Sequence, residues 1–261
     1  MRTFIIFLLM PLLLGLFLIG CSQDQNPTTP TDKGTLKISL TDAPADFEAV
    51  NITFSEISAH IDGKWISVRG EPITVNLLEW NNGQSIIIGT AEVPAGHYTQ
   101  IRLKIDRAEV VVEGQTHPVT VPSGAQTGLK LIAEFTIPEG STFELVIDFD
   151  ANRSIVTTGP PNNPNGFKLK PTIRVVPKAI SGSISGTVAN PENLPIAFAL
   201  AGTDTVTSTP VDKNSGAFML AFLPEGSYAV SIRDTLDQSF GKNAVPVVAG
   251  SDNNQGLITL Q

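Results

Sequence analysis

From Gly34 onward the chain alternates. In TLKISLT, residues 35–41, Leu36, Ile38 and Leu40 fall on one side and Lys37, Ser39 and Thr41 on the other, the period of a strand with one buried face. Val50, Ile52 and Phe54 repeat the pattern, as do Ile101, Leu103 and Ile105. Clusters of Pro, Gly, Asn and Asp (DAPAD, IDGK, NNGQ, PSGAQ) punctuate these runs at the spacing of all-β sandwiches. No stretch after the first 20 residues holds a helical period beyond about two turns. VNLLEWNN, with Leu77, Leu78 and Trp80, predicts one short turn of helix. The pattern breaks at PKAISGS, where proline, glycine and serine follow a long apolar strand. It resumes in ISGTVANPENLPIAFAL. The expected fold is therefore all-β, with two β-sandwich domains at residues 34–178 and 182–261.

Three strand entries share one phrase. VPAGHY, IPEGST and LPEGSY each set an apolar residue and a proline before a glycine, then begin a new extended run. Proline presets its own backbone angle and glycine permits a left-handed turn, so the phrase re-aims the chain between strands. Such turns collect in any β protein, and the phrase is read here as turn grammar.

The first 33 residues follow other rules. Arg2 precedes the apolar run FIIFLLMPLLLGLFLIG, which Pro11 and Gly15 interrupt. A membrane-spanning helix needs about 20 uninterrupted apolar residues. A charged start, an apolar middle and a small residue before a cleavage point instead mark residues 1–20 as a secretory signal peptide. Residues 22–33, SQDQNPTTPTDK, lack any aliphatic side chain, so they cannot offset their ordering entropy by burial and read as a flexible tether starting at Cys21. Cys21 is the single cysteine, which excludes an intramolecular disulfide and a cysteine-based zinc site.

Leu18-Ile19-Gly20-Cys21 resembles the lipobox of bacterial lipoproteins. That resemblance implies that Cys21 is lipidated on sulfur, that the leader is cut before it, and that the new amino terminus is acylated. Several acyl chains together anchor a protein stably. Ser22 in place of aspartate implies, by the same resemblance, the outer membrane of the cell envelope. Acidic residues outnumber basic ones, 25 to 17, and no basic stripe is present, which argues against nucleic acid as a partner.

The richest polar stretch is FELVIDFDANRS. On a strand Phe143, Leu145, Ile147 and Phe149 would share the core face and leave Glu144, Val146, Asp148 and Asp150 on the other. In FKLKPTIRVV, Lys168, Lys170 and Arg174 share a face, so pairing of these segments across the NNPNG loop would set an acidic row against a basic one. The functional alternative makes Asp148, Asp150, Asn152 and Asp42 oxygen ligands for calcium, which prefers six to eight oxygens. His60, His97 and His117 show no metal-ligand spacing. SGSISG places Ile184 where a GxSxG nucleophile would stand. Trp65, Trp80, Tyr98 and Tyr228 are candidates for a sugar-stacking surface, with Trp65, just after the DGK turn, the one expected to be exposed. Asp204-Thr205-Val206 and Asp234-Thr235-Leu236 resemble the short O-glycosylation motif of Bacteroidota.

Two further resemblances span most of the chain. LTDAP at 40–44, VPAGHYTQIRL at 93–103, SGAQTGLKL at 123–131, DFDANRSIV at 148–156 and LKPTIRVV at 169–176 resemble, in this order, the DUF4382 family, common in bacterial lipoproteins. ISGTV at 184–188, DKNSGAFML at 212–220 and LPEGSYAVSI at 223–232 resemble the carboxypeptidase regulatory-like family, a small sandwich akin to transthyretin. Together these readings point to a membrane-anchored, non-enzymatic binding or assembly module that meets an envelope protein or polysaccharide. The alternative is a polysaccharide-active enzyme, or its carbohydrate-binding accessory, with Asp148 and Asp150 as the carboxylate pair.

Overall fold

The computed structural model describes residues 32–159 and 166–261. The leader, Cys21 and most of the tether lie outside the described residues, as does most of the NNPNG loop. The described chain is all-β. It runs β1 (Lys33–Ala43), β2 (Ala49–Ile61), β3 (Lys64–Arg69), β4 (Ile73–Asn76), β5 (Ile86–Pro94), β6 (Gly96–Val112), β7 (Gln115–Thr120), β8 (Leu129–Ile137), β9 (Thr142–Asp150), β10 (Ile155–Thr158), β11 (Gly166–Leu169) and β12 (Ile173–Pro177). After Lys178–Ile180 come β13 (Ser181–Val188), β14 (Ile196–Ala201), β15 (Asp204–Pro210), β16 (Ala217–Pro224), β17 (Gly226–Arg233), β18 (Ser239–Val247) and β19 (Asp252–Ile258). Two short helices, α1 (Ser123–Gly128) and α2 (Ala151–Ser154), and a 3₁₀ turn at Leu77–Glu79 complete the elements used below. That 3₁₀ turn is the helical turn expected from VNLLEWNN.

The first twelve strands build one sandwich. A four-stranded sheet ordered β12-β9-β1-β5 faces an eight-stranded sheet whose path is β10-β11-β7-β6-β2-β3, with β4 on β2 and β8 on β6. The alternation read from the sequence sets the core: Leu36, Ile38, Leu40, Val50, Ile52, Phe54, Ile101, Leu103 and Ile105 are all fully buried. The last seven strands build a second sandwich from β16-β13-β19 and β15-β14-β17-β18, around its own cluster with Ile184, Phe218, Leu220, Val230 and Ile232.

The two sandwiches repeat one strand plan. In the first, β1 pairs antiparallel with β5 and parallel with β9, while β2 joins β3 to β6 and β6 joins β8. In the second, β13 pairs antiparallel with β16 and parallel with β19, while β14 joins β15 to β17 and β17 joins β18. The likeness reaches single bonds. Tyr98 Oη donates to the Pro94 carbonyl at 2.7 Å and Tyr228 Oη to that of Pro224 at 2.8 Å. The turn before the strand that runs parallel to the first is tied in the same way twice: Gly140 N to Lys33 O and Thr35 N to Ser141 O, then Gly250 N to Ser181 O and Ser183 N to Ser251 O. In both, a glycine lies under that turn. A methyl group on Gly34 would meet Ile137 Cγ2 and the Pro138 and Ser141 carbonyls, and one on Gly182 the Val248 and Ser251 carbonyls. The proline-glycine phrase is therefore more than turn grammar in two of its three occurrences: it closes the corresponding corner of each sandwich with a buried tyrosine.

One expected pairing is corrected. FKLKPTIRVV is not one strand facing β9. Pro171, which has no N–H to offer a ladder, breaks it, and Lys170 N and Thr172 N bond instead to the Ser154 carbonyl and hydroxyl. Gly166–Leu169 joins β10 and β7 in the large sheet, and only Ile173–Pro177 pairs with β9. Lys168 and Lys170 thus never meet the acidic row. Glu144 is held instead by Lys37 and Lys178, each at 2.8 Å.

A second correction concerns the far face of β9. The period-two reading leaves Val146 and Asp148 in solvent, yet they are 0% and 5% exposed. β15 and β16 of the second sandwich lie over β1 and β12 on that side, so this end of the small sheet is covered on both faces.

Candidate functional site

The two sandwiches meet through side chains that replace backbone partners. Asn82, in the turn after the 3₁₀ segment, accepts from Met219 N through Oδ1, and its own N–H donates to the buried Thr209 hydroxyl at 3.0 Å. Arg174 on β12 donates through Nη2 and Nε to Asp148 Oδ2 at 2.6 and 3.2 Å, and through Nη1 to the Phe222 carbonyl at 2.6 Å. A guanidinium fork fixes direction as well as distance, so Arg174 clamps β16 against β9.

Beside this clamp a crevice opens between α2 and the β14–β15 hairpin. It has two lobes that share Asp150, Arg153 and Thr205. The smaller, about 250 Å³, is lined also by Asp148, Arg174 and Thr207. The larger, about 650 Å³, adds Asn152, Phe198, Asp204 and Ser208. α2 exists because Asp150 caps it: Oδ1 accepts from Arg153 N at 2.9 Å. Its Oδ2 lies 3.9 Å from Arg153 Nε. Burial raises the Asp150 carboxyl above the usual carboxylate range, and the nearby Asp148 charge adds to this against the opposing pull of Arg153. No hydrogen bond among the described residues engages the side chains of Asn152, Asp204, Thr205 or Ser208.

Asp148 and Asp150 share the outer face of β9, but Asp42 does not: it pairs in register with Phe149 and points into the end of the core. There Oδ1 accepts from Ala151 N at 2.9 Å while Oδ2 has no partner among the described residues. Burial drives the Asp42 pKa well above the usual range, and the charges of Asp148 and Asp150 push the same way. With one carboxylate inside, one neutralised by Arg174 and one capping a helix, the ligand set expected for calcium is not assembled. Among the described residues no group of three or more His, Cys, Asp or Glu side chains is placed to hold a metal ion.

The histidines do not converge either. His60 and His97 approach Thr99 and Thr136, and His117 packs near Phe167. Trp65, expected as an exposed platform, is half-buried on the large sheet: the Arg102 guanidinium covers its ring at 4.5 Å and His60 lies 5.0 Å from it. Trp80 packs on the first core, and Tyr98 and Tyr228 are buried, so the four aromatics form no shared surface. The aromatic that lines this crevice, Phe198, was not a sequence candidate. Its signal was present in IAFAL, where the large apolar residues Ile196, Phe198 and Leu200 alternate with the fully buried Ala197 and Ala199 and so face outward.

Comparison with known proteins adds a family and little else. No curated protein matches the chain. Among solved structures, the Bacillus anthracis TIE protein is similar at 14% identity and a TM-score of 0.24, over 88% of this chain and 34% of that one. A leucine-rich repeat protein from Bacteroides thetaiotaomicron is similar at 12% identity and a TM-score of 0.22, over 88% and 26%. A fimbrial protein from Bacteroides ovatus gives 10% and 0.24, over 87% and 50%. The chain thus spans half or less of each of these proteins. The family described as Domain of unknown function (DUF4382) matches residues 33–171, which takes in all of the first sandwich up to the approach to β12, and the chain belongs to that family.

Proposed function

We propose that the chain is a lipid-anchored envelope lipoprotein, attached through Cys21, that acts as a non-enzymatic binding or assembly module and presents the crevice between its sandwiches to a partner. The observation that carries the reading is the junction itself. Arg174 and Asn82 fix two separately cored sandwiches against each other, and the polar crevice beside them takes its walls from both. A binding surface assembled from two rigid bodies is preorganised, so little ordering entropy opposes association. The second sandwich is read as a carboxypeptidase regulatory-like module. Its Asp212 turn supports this, with Oδ1 accepting from Asn214 N and Ser215 N between β15 and β16, as does its Pro224-Gly226-Tyr228 corner.

The lipobox resemblance at Leu18–Cys21 supports anchoring, and Ser22 supports the outer membrane. Among the described residues no helix is long and apolar enough to cross a membrane. The enzyme reading needs Asp148 and Asp150 as a working pair. Asp148 is buried under Arg174 and Asp150 caps α2, which favours the binding module.

Metabolic labelling with an alkynyl fatty acid is expected to mark the native chain and not a Cys21→Ala variant, which should leave the membrane fraction. Equal labelling of both would overturn the anchor. Photocrosslinking from Asn152 in the native envelope is expected to capture a partner. A crevice that captures nothing there would overturn the binding reading.

A further inference from the structure

We infer that the larger lobe of the crevice binds a neutral saccharide, with the Phe198 ring against the sugar's C–H face and Asp150, Asn152, Arg153 and Asp204 taking its hydroxyls. The inference rests on the reading of this crevice as the binding surface and names the chemistry it recognises. At about 650 Å³ the lobe lies within the range of small-ligand sites, roughly 300 to 1,000 Å³. Such sites are mostly apolar with a few polar groups. This one inverts the ratio, so a complementary ligand must itself be rich in polar groups.

The side chains narrow the class. A sugar hydroxyl donates one hydrogen bond and accepts others, and satisfying a row of them takes acceptors and donors side by side. Asp150 and Asp204 supply acceptors, the Arg153 guanidinium supplies donors, and the Asn152 amide supplies both. Asn152, Arg153 and Asp204 are exposed, and neither Asn152 nor Asp204 makes a side-chain hydrogen bond among the described residues, so a ligand meets these two groups uncommitted to those residues. An internal partner would have to be given up at a cost comparable to the bond gained.

Phe198 provides what a purely polar crevice lacks. It stands half-buried on the outer face of β14 between Ile196 and Leu200, and it borders both the polar lobe and the apolar strip along that strand. An aromatic face beside planar polar groups suits a ring with an apolar face and a hydroxylated edge. Charge selects among saccharides. Two carboxylates and one guanidinium leave the lobe net negative, and Arg174 in the neighbouring lobe is already neutralised by Asp148, so an acidic chain is disfavoured. Trp65, on the large sheet with its ring under Arg102, is not part of this lobe.

The test uses the full acylated chain in detergent, titrated calorimetrically with xylohexaose, cellohexaose, mannohexaose and chitohexaose, and examined by saturation-transfer NMR. At least one is expected to bind, with Phe198→Ala and Asp204→Ala each weakening it about tenfold or more at unchanged melting temperature. Trp65→Ala should bind as the parent chain does. Absence of binding by all four at millimolar concentration would overturn the saccharide, as would binding that survives both crevice substitutions. The crosslinking from Asn152 separates the two failures: protein adducts without oligosaccharide binding sink the saccharide and leave the binding module standing, and no adducts at all sink both.

Discussion

Asp42, next to last in β1, has one carboxylate oxygen satisfied and the other buried without a partner among the described residues. A carboxyl in this position favours its neutral form, because desolvation penalises the charge and Asp148 and Asp150 repel it. Its folded pKa therefore stands above the unfolded value of about 3.9. The native state binds the proton more tightly, so the contribution is fully present below the unfolded pKa and is lost as pH rises through the folded one. Asp42→Asn keeps an oxygen for Ala151 N and removes the charge. Its melting temperature relative to the parent chain is expected to climb as pH rises from about 4, and a constant difference would contradict the assignment. Asp42→Ala should instead lose stability throughout, by about 1 to 3 kcal/mol, because Ala151 N is left buried and unpaired. Subtracting the parent curve removes the opposite trend from Glu144, whose pKa is lowered by its bonds to Lys178 and Lys37. LTDAP placed Asp42 among polar candidates, but its direction followed from strand parity. It shares the side of Leu36, Ile38 and Leu40, and that parity already excluded a site built with Asp148.

At the scale of elements, each sandwich closes a corner with one tyrosine hydroxyl on the carbonyl of a proline four residues earlier. Tyr98→Phe and Tyr228→Phe are each expected to cost about 0.5 to 1.5 kcal/mol in urea unfolding, with the double variant near the sum because the corners share no partners. A loss in one variant only would mean that the corners are not equivalent. The corner was readable as a repeated phrase, yet its meaning depended on which strands flank it, and those pairings are long-range. The same limit explains β9. Alternation located its core face, since Leu145, Ile147 and Phe149 are fully buried, but period-two reasoning treats the other face as wet. Here a second sandwich covers it, and nothing local to FELVIDFDA encodes that cover. Pro171 does carry a local signal, a missing N–H that separates Lys168 from Arg174 within the run of alternating residues. The crevice was half legible: Asp150 and Asn152 stood out as polar groups, while Phe198 and Asp204 joined them only through the docking of the second sandwich.

Across the whole molecule, Arg174 bonds to both sandwiches at once, and Asn82 of the first also bonds to the second. Arg174→Met would leave Asp148 buried without its cation, which costs about 3 kcal/mol or more, and would free the Phe222 carbonyl. Calorimetry is expected to resolve two transitions where the parent chain gives one. Adding Asp148→Asn should raise the first sandwich's transition without rejoining the two. A single transition in Arg174→Met would show that the clamp couples nothing. The repeated strand plan has a different consequence for a chain that must fold itself. Two similar slots for a strand parallel to the first invite exchange, a known hazard of tandem repeats. β9 and β19 run parallel to β1 and β13 at matching registers, where Lys37 stands opposite Glu144 and Ser185 opposite Asn254. In an exchanged pairing Glu144 would face Ser185 and lose Lys37, while Lys37 would face an amide. Lys37→Ser with Glu144→Asn makes the two addresses read alike. Refolded at high concentration, that variant is expected to yield more strand-exchanged dimer on size exclusion than the parent, and an unchanged yield would rule the pair out as a label. A half-buried ion pair of modest energetic weight would then matter chiefly as a destination tag, telling the parallel strand of each half which slot is its own.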